Sequence, residues 1–391
     1  MPDTFVETTR TSWLSRIAQS LLGVIFGILF VFGSIVLLFW NEGRAVQTAR
    51  SLAEGGKVVI DAAPEAVDSA NDGKLIHVSG NAAATAPLRD PDFDIATVAL
   101  RLVRVAEMYQ WQENKREETR KNLGGSEETV TTYTYNKVWS KDEIRSGDFR
   151  HPEDHNNPPK RYGGMGEMAK DATLGAFRLD IAVLTLLPAN APVRVDAKAA
   201  DKVKTHAANA QVVGGQIYIG ADPDHPAIGD YRISFATAPN GPISVIGRQA
   251  GSAFAFYQTK AGDRLLMAVP GTQSAADMFK EAEEENRILT WVIRVAGIFA
   301  AWLGVFLVLR PLVVVADVVP VIGNILGAGA GLVALVFAIA VGSAVIAIAW
   351  LWYRPLVSLA VLAVGAVAGI GLHRLAARRG AARTPAPAPA A

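Results

Sequence analysis

Two ionisable residues lie in long apolar stretches of the sequence, where a charge is costly and therefore often functional. Asp317 lies between Pro311 and Pro320. A carboxylate there could serve an ion pathway or a proton relay, but the flanking prolines favour an interfacial position in which Asp317 reaches water. Arg294 lies a turn or two into another apolar stretch. Its long side chain is expected to reach the lipid headgroups, with a buried ion pair as the alternative.

One short segment has the residue types of a metal site. His151-Pro152-Glu153-Asp154-His155 places two imidazoles and two carboxylates close together, which makes His151 and His155 candidate metal ligands. The segment lies in a loop, residues 146–170, that is rich in proline, glycine and charge, and no second ligand cluster accompanies it. A solvated loop is therefore the favoured interpretation.

Other chemistry is poorly represented. The sequence has no cysteine, which excludes disulfides, thiolate metal sites and thiol nucleophiles. It also has no nucleophile elbow, phosphate-binding loop or dinucleotide fingerprint. The sequence therefore predicts no catalytic residue and no cofactor, and the protein is not expected to be an enzyme.

Two pairs of glycines lie in apolar stretches at a spacing that suits close helix packing. They are Gly23 with Gly27, and Gly365 with Gly369. Such pairs let two helix backbones approach each other closely. Packing within one chain and packing between chains are equally compatible with this pattern.

The elements that carry these residues are predicted to be membrane helices. Half of the residues are apolar and 19% are charged, whereas soluble domains have about 25% charged residues. Uncharged apolar runs of about 18 or more residues are typical of membrane spans. The first run, residues 17–40, is too long for the apolar region of a signal peptide. The net charge of +1 gives no basic excess for nucleic acid. The predicted spans are residues 17–40, 288–309, 328–350 and 355–372.

The intervening region, residues 41–287, is polar and contains β-branched and aromatic segments separated by turn residues. The predicted fold class is an α+β membrane protein with four transmembrane helices and a large β-rich extracytoplasmic domain between helices 1 and 2. Similar segments at Gly73–Val78 and Gly229–Ser234 suggest two related modules around the loop 146–170. Residues 310–327 are predicted to be an interfacial or re-entrant segment.

The positive-inside rule gives the predicted orientation. Residues 373–391 contain four arginines and an Ala-Pro repeat, which predicts a basic, disordered cytoplasmic tail. With four spans, residues 1–16 form a cytoplasmic N-terminal tail and residues 41–287 face away from the cytoplasm. That side is the periplasm in a bacterium or an organelle lumen in a eukaryote.

Several blocks resemble the transmembrane protein 43 family, also called LUMA. They include Asn41-Glu42-Gly43-Arg44-Ala45, Glu107–Trp111, Gly229–Phe235 and Trp350–Leu356. The resemblance implies four spans and one large extracytoplasmic domain. Eukaryotic members are described in the endoplasmic reticulum and inner nuclear membrane, where they self-associate and organise envelope proteins. A channel role has been proposed for some, and the family supplies no catalytic residues. The Ala-rich, lysine-poor tail and spans favour a bacterial inner membrane with a periplasmic domain.

These observations predict a self-associating membrane scaffold that organises an assembly through its extracytoplasmic domain. Its expected partners are the lipid bilayer, further copies of the chain and other membrane proteins, without nucleic acid. The first alternative is an ion channel or transport component with Asp317 near the pathway. The second is a membrane-embedded enzyme that acts on lipid.

Overall fold

The computed structural model describes residues 4–195 and 209–355, which fall into two compact units. The β-rich unit contains residues 4–12, 50–122, 126–195 and 209–284. The helical unit contains residues 13–49, 123–125 and 285–355.

Three helices are long and apolar enough to cross a membrane. They are α1 (Trp13–Val58), α3 (Ala275–Ala316) and α4 (Pro320–Tyr353), while the short α2 (Ile181–Leu186) belongs to the β-rich unit. The described residues thus contain three candidate spans, not the four that were predicted. The predicted fourth span, residues 355–372, lies outside the described residues apart from Pro355.

The predicted interfacial or re-entrant segment, residues 310–327, is not a separate element. Helix α3 continues through Pro311 to Ala316, and α4 begins at Pro320 after a short turn. The amide of Asp317 donates to the carbonyl of Val313 at 3.0 Å, which closes the last turn of α3. Pro320 starts a helix because the first helical position needs no amide donor. The prolines therefore do not exclude helix from this segment.

The strands of the β-rich unit form two large sheets and two small pairs. The first sheet has the strand order β1-β7-β6-β14-β13-β12, and in addition β11 pairs with β14 and β8 pairs with β6. Its strands are β1 (Thr4–Thr11), β6 (Arg101–Lys121), β7 (Glu127–Ser140), β8 (Met165–Met168), β11 (Ala191–Val193), β12 (Ala210–Val213), β13 (Gln216–Ile219) and β14 (Tyr231–Ala238). The second sheet has the strand order β19-β15-β16-β10-β9-β3-β2, and in addition β15 pairs with β3. Its strands are β2 (Ile60–Asp61), β3 (Leu75–Ala83), β9 (Thr173–Leu174), β10 (Phe177–Arg178), β15 (Gly241–Ala250), β16 (Ala253–Ala255) and β19 (Met267–Pro270). The pairs are β4 (Leu88–Asp90) with β5 (Ile95–Thr97), and β17 (Tyr257–Gln258) with β18 (Arg264–Leu265).

Both large sheets contribute to one hydrophobic core. Leu102 and Ile233 come from the first sheet, Val78 and Val245 from the second, and all four are fully buried. Strands before the loop 146–170 pair with strands after it, because β14 lies on β6 and β15 lies on β3. The two halves therefore form one folded unit, and a relationship between them stays a hypothesis.

The N-terminal residues are part of this unit. Strand β1 pairs antiparallel with β7 along its whole length, from Thr4 opposite Thr134 to Thr11 opposite Glu127. Residues 4–11 thus belong to the β-rich unit. The sequence predicted instead that they form part of a separate N-terminal tail. Paired strands must lie on the same side of a membrane, whereas a single crossing by α1 would place β1 and β7 on opposite sides. The β1–β7 pairing and a single crossing by α1 therefore exclude each other.

Cysteine labelling tests this pairing, since the chain has no cysteine of its own. Val6→Cys reports on β1, Glu118→Cys on β6 and Ile181→Cys on α2, and all three side chains are more than half exposed. In sealed vesicles we expect a membrane-impermeant maleimide to label the three variants from one side only. Labelling of Val6→Cys and Ile181→Cys from opposite sides would contradict the β1–β7 pairing.

Candidate functional site

A buried ion pair joins α1 to α3 in the helical unit. The Nε of Arg294 donates to Oε1 of Glu42 at 2.6 Å, and its Nη2 donates to Oε2 at 2.8 Å. The Glu42 side chain is 3% exposed and that of Arg294 is 13% exposed. Trp350 of α4 donates its indole N–H to Oε2 of Glu42 at 2.9 Å. Arg294 therefore forms a buried ion pair, which was the alternative interpretation. The sequence favoured a side chain that reaches the lipid headgroups.

Aromatic rings complete the surroundings of Arg294. Its guanidinium carbon lies 4.8 Å from the ring centroid of Trp291 and 6.0 Å from that of Trp350. A cation over an indole face is stabilised by the ring quadrupole, and more strongly where water is excluded. The charge of Arg294 is thus stabilised by a carboxylate and by two aromatic side chains.

A polar cluster lies next to this pair along the same two helices. Arg44 donates to Oδ1 of Asn286 at 3.0 Å and to Oγ1 of Thr290 at 3.1 Å. Asn41 donates to the carbonyl of Thr290 at 3.1 Å, and Asn286 donates to the carbonyl of Ala45 at 3.0 Å. The block Asn41–Ala45 that carries part of the family resemblance is therefore the polar contact of α1 with α3.

A second buried ion pair lies at the other end of the helical unit. The Nη2 of Arg16 donates to Oδ2 of Asp317 at 2.5 Å, and the two side chains are 6% and 1% exposed. The Nη1 of Arg16 donates to the carbonyl of Gly125 at 2.5 Å. Trp13 donates to the carbonyl of Val314 at 2.9 Å. Asp317 is thus buried and paired, whereas the sequence favoured an interfacial residue that reaches water.

Sequence reasoning missed Arg16 and Glu42 because each marks the end of an apolar run. A usable signal existed in the spacing and sign of four charges. Arg16 and Glu42 are 26 positions apart in α1, and Asp317 and Arg294 are 23 positions apart. These separations correspond to about 39 and 35 Å in a helix. Two antiparallel helices can therefore match both opposite charges at once.

The predicted glycine contact is present in part. A Cβ atom on Gly27 would lie 2.5 Å from the carbonyl oxygen of Gly304, and one on Gly304 would lie 2.7 Å from that of Gly27. Gly23 has only an ordinary contact, with Leu307 at 3.9 Å. Gly27 therefore brings the backbones of α1 and α3 together within one chain. Gly365 and Gly369 lie outside the described residues.

The two candidate metal ligands belong to an aromatic cluster. The ring of His151 stacks on Phe5 of β1 at 4.3 Å, and the ring of His155 stacks on Tyr135 of β7 at 3.8 Å. The Nδ1 of His155 is 3.0 Å from the carbonyl oxygen of His151. Burial, together with donation to Glu113, raises the pKa of Tyr135 to about 12, so its hydroxyl stays protonated.

This cluster changes the interpretation of the loop 146–170. His155 is 1% exposed, so this part of the loop is packed and not solvated. Within residues 4–195 and 209–355, no three histidine, aspartate or glutamate side chains are grouped so that they could hold a metal ion. The imidazoles of His151 and His155 pack the loop against β1 and β7.

Comparisons with known proteins point to one family. The sequence model described as transmembrane protein 43 matches residues 108–355. The chain is 30% identical to transmembrane protein 43 of Mus musculus over 363 residues, which covers 89% of this chain and 88% of that protein. It is 30% identical to the Homo sapiens protein over 367 residues, covering 89% of each. The homolog of Drosophila melanogaster is 29% identical over 382 residues, covering 92% of this chain and 94% of that protein. No solved structure matches the chain.

Proposed function

The chain belongs to the transmembrane protein 43 family, and we propose that it is an integral membrane scaffold that self-associates through its β-rich unit. The length and apolar composition of α3 and α4 are those of helices that cross a membrane. The β-rich unit supplies the surface on which an assembly is organised.

The observation that carries this proposal is a ribbon of three strands: β1, β7 and residues 112–120 of β6. β7 lies in the middle and pairs with both neighbours. In the part of the chain that the structure describes, no further strand pairs with β1 or with this part of β6. Edge strands present free backbone donors and acceptors, which another strand can pair with. Both edges of the ribbon are therefore suited to a second chain.

Charges on the ribbon limit which strand can pair there. Lys115 lies at 2.5 Å from Glu117, and Arg116 at 3.0 Å from Glu118. Charged side chains on edge strands oppose indiscriminate pairing, and complementary charges select a partner. This pattern supports a specific interface.

The buried charges of the helices do not favour the two alternatives. Asp317 forms an ion pair with Arg16, and Arg294 forms one with Glu42. The two candidate residues, Asp317 and Arg294, therefore have roles in helix packing. An ion pathway through Asp317 would need this carboxylate to be accessible to ions, yet it is 1% exposed. We therefore do not propose a channel with Asp317 in its pathway, and no contact of these helices supports a lipid-acting enzyme among the described residues.

We further propose that the β-rich unit lies on the periplasmic side of a bacterial inner membrane. The support is the cluster of arginines after residue 373, which the positive-inside rule assigns to the cytoplasm. With crossings by α3, α4 and the span predicted from the sequence at residues 355–372, that tail lies opposite the β-rich unit. The relatives named above come from animals, and in a eukaryote the corresponding side would be an organelle lumen. The labelling of Ile181→Cys distinguishes the two sides.

The scaffold proposal is tested by the stoichiometry of the full chain extracted into lipid nanodiscs without detergent. We expect an oligomer by mass photometry, and at least a five-fold loss of that oligomer in the double variant Val6→Lys/Thr8→Lys. Both residues are exposed on the edge strand β1, where lysine opposes pairing. Val98→Lys is the control, since Val98 is 49% exposed and lies outside every strand.

Two results would refute the proposal. A monomeric wild-type chain would exclude self-association. An unchanged oligomer in the double variant would exclude β1 as the interface. Circular dichroism of the variants checks that the β-rich unit remains folded.

A further inference from the structure

Strand β1 is held on the edge of β7 by side chains as well as by backbone pairing. The ring of Phe5 stacks on His151 at 4.3 Å and meets the ring of Tyr135 edge-on at 5.9 Å. Two positions along β1, Oε1 of Glu7 accepts from Nε of Arg150 at 2.8 Å. Phe5 and Glu7 share one face of β1, since side chains two positions apart in a strand do so. We call the edge of β7 on which β1 lies, with His151 and Arg150, the β7 acceptor edge.

The fit of β1 to the β7 acceptor edge leaves one polar atom unsatisfied. The Nε2 of His151 is buried and has no hydrogen-bond partner among the described residues. Oε1 of Glu7 lies 3.6 Å away, which is beyond hydrogen-bond distance. A buried polar atom without a partner costs free energy. A carboxylate placed slightly closer would bond to both His151 and Arg150, so another strand can fit this edge better than β1 does.

Strand β1 can also be withdrawn from this edge. Only Ser12 separates β1 from α1, and the β1–β7 pairing excludes a single crossing of a membrane by α1. A single crossing would therefore take β1 away from β7 and leave the β7 acceptor edge empty. The edge would then present free backbone donors and acceptors, which are the groups through which sheets bind extended peptides.

We propose that the β7 acceptor edge binds an extended segment of another protein, and that β1 competes with this partner for the same place. The recognised segment has an aromatic residue two positions before a carboxylate, in the pattern of Phe5 and Glu7. Its ring stacks on His151, its carboxylate pairs with Arg150, and its backbone extends the sheet at β7. The partner lies on the same side of the membrane as the β-rich unit.

A peptide that repeats the sequence of β1, Thr-Phe-Val-Glu-Thr-Thr-Arg-Thr, is the probe. It carries fluorescein, and its anisotropy is followed with the full chain in lipid nanodiscs. We expect saturable binding, with at least five-fold higher affinity for the double variant Phe5→Ala/Glu7→Ala than for the wild type, because the variant's own β1 competes less. The Phe5→Ala and Glu7→Arg peptides should each bind at least five-fold more weakly, since one loses the ring stack and the other the ion pair.

A charge exchange identifies where the peptide binds. Adding Arg150→Glu to the double variant should weaken binding of the unchanged peptide at least five-fold and restore binding of the Glu7→Arg peptide. A general disturbance of the loop would weaken both peptides alike. Glu153→Arg is the matched control, because Glu153 is an exposed charge in the same loop. It should leave both affinities within about two-fold.

Three results would overturn the proposal. The absence of saturable binding to the double variant would exclude the β7 acceptor edge as a binding site, and circular dichroism checks that this variant is folded. Equal affinities for the wild type and the double variant would exclude competition by β1. Binding that does not follow the Arg150 exchange would place the peptide at another edge, such as the outer part of β6. Glu7→Ala alone replaces the double variant if the latter does not fold.

The result does not depend on the scaffold function. The nanodisc stoichiometry tests the outer edge of β1 through Val6 and Thr8, whose side chains lie on the opposite face from Phe5 and Glu7. A monomeric protein can still bind the peptide at β7, and an oligomer can fail to bind it.

Discussion

Replacing Glu42 by glutamine lowers the free energy of unfolding of the helical unit by about 3–5 kcal/mol, the cost of leaving one buried partner of an ion pair uncompensated. Glutamine keeps the shape of the side chain but removes its charge. Arg294, which is 13% exposed, then has no anion beside it. The loss is measured as a fall in the unfolding free energy, with the midpoint of thermal unfolding in mild detergent as a second readout.

Two further variants separate the ion pair from general damage. The double variant Glu42→Gln/Arg294→Gln should recover at least half of the loss, since no unpaired charge remains buried. Glu281→Gln, an exposed change on α3, should stay within about 0.5 kcal/mol of the wild type. If Glu42→Gln costs no more than Glu281→Gln, the Glu42–Arg294 contact does not stabilise the protein.

Replacing Asp317 by asparagine should have an effect of similar size, because Arg16 is even more deeply buried, at 6% exposure. The expected loss is about 3–5 kcal/mol by the same argument. The carbonyl of Gly125 still accepts from Arg16, but a neutral oxygen does not compensate the guanidinium charge. The measurement is again thermal and equilibrium unfolding in mild detergent.

Two further variants, each of which replaces an arginine, separate the Arg16–Asp317 ion pair from general damage. Arg16→Gln/Asp317→Asn should regain part of the loss, and Arg310→Gln, an exposed change near the end of α3, should be close to neutral. Ion flux in reconstituted vesicles provides a separate readout. A loss of flux in Asp317→Asn with unchanged stability would contradict the packing role and favour the channel that was set aside above.

The sequence predicts the strands well where side chains alternate between core and solvent. Tyr231–Phe235, one of the β-branched and aromatic segments that the sequence predicts as strands, lies within β14, whose residues are alternately buried and half-buried. The extent of β6 could not be predicted, because its outer half is a charged stretch, Lys115–Lys121, with no apolar alternation. This half is a strand because β7 pairs with it residue by residue. Pairing between distant segments is absent from any local pattern.

The candidate site shows the same limit. The sequence identified Asp317 and Arg294 as unusual, since each interrupts an apolar run. It assigned both to the membrane surface because hydropathy considers each run alone. Their partners lie in α1, 301 and 252 residues away along the chain. Only a comparison of charge spacing between two antiparallel runs could have paired them.

Strand β1 also has a consequence for biosynthesis. Thr4 is made 130 residues before its partner Thr134. At about 5–20 residues per second, that interval is roughly 6–26 s. During this time α1 and β6 are made while β1 lacks its neighbouring strand. The threonines and the charges of Glu7 and Arg10 can keep it soluble until β7 emerges. Strand β1 is thus made well before the one strand with which it pairs.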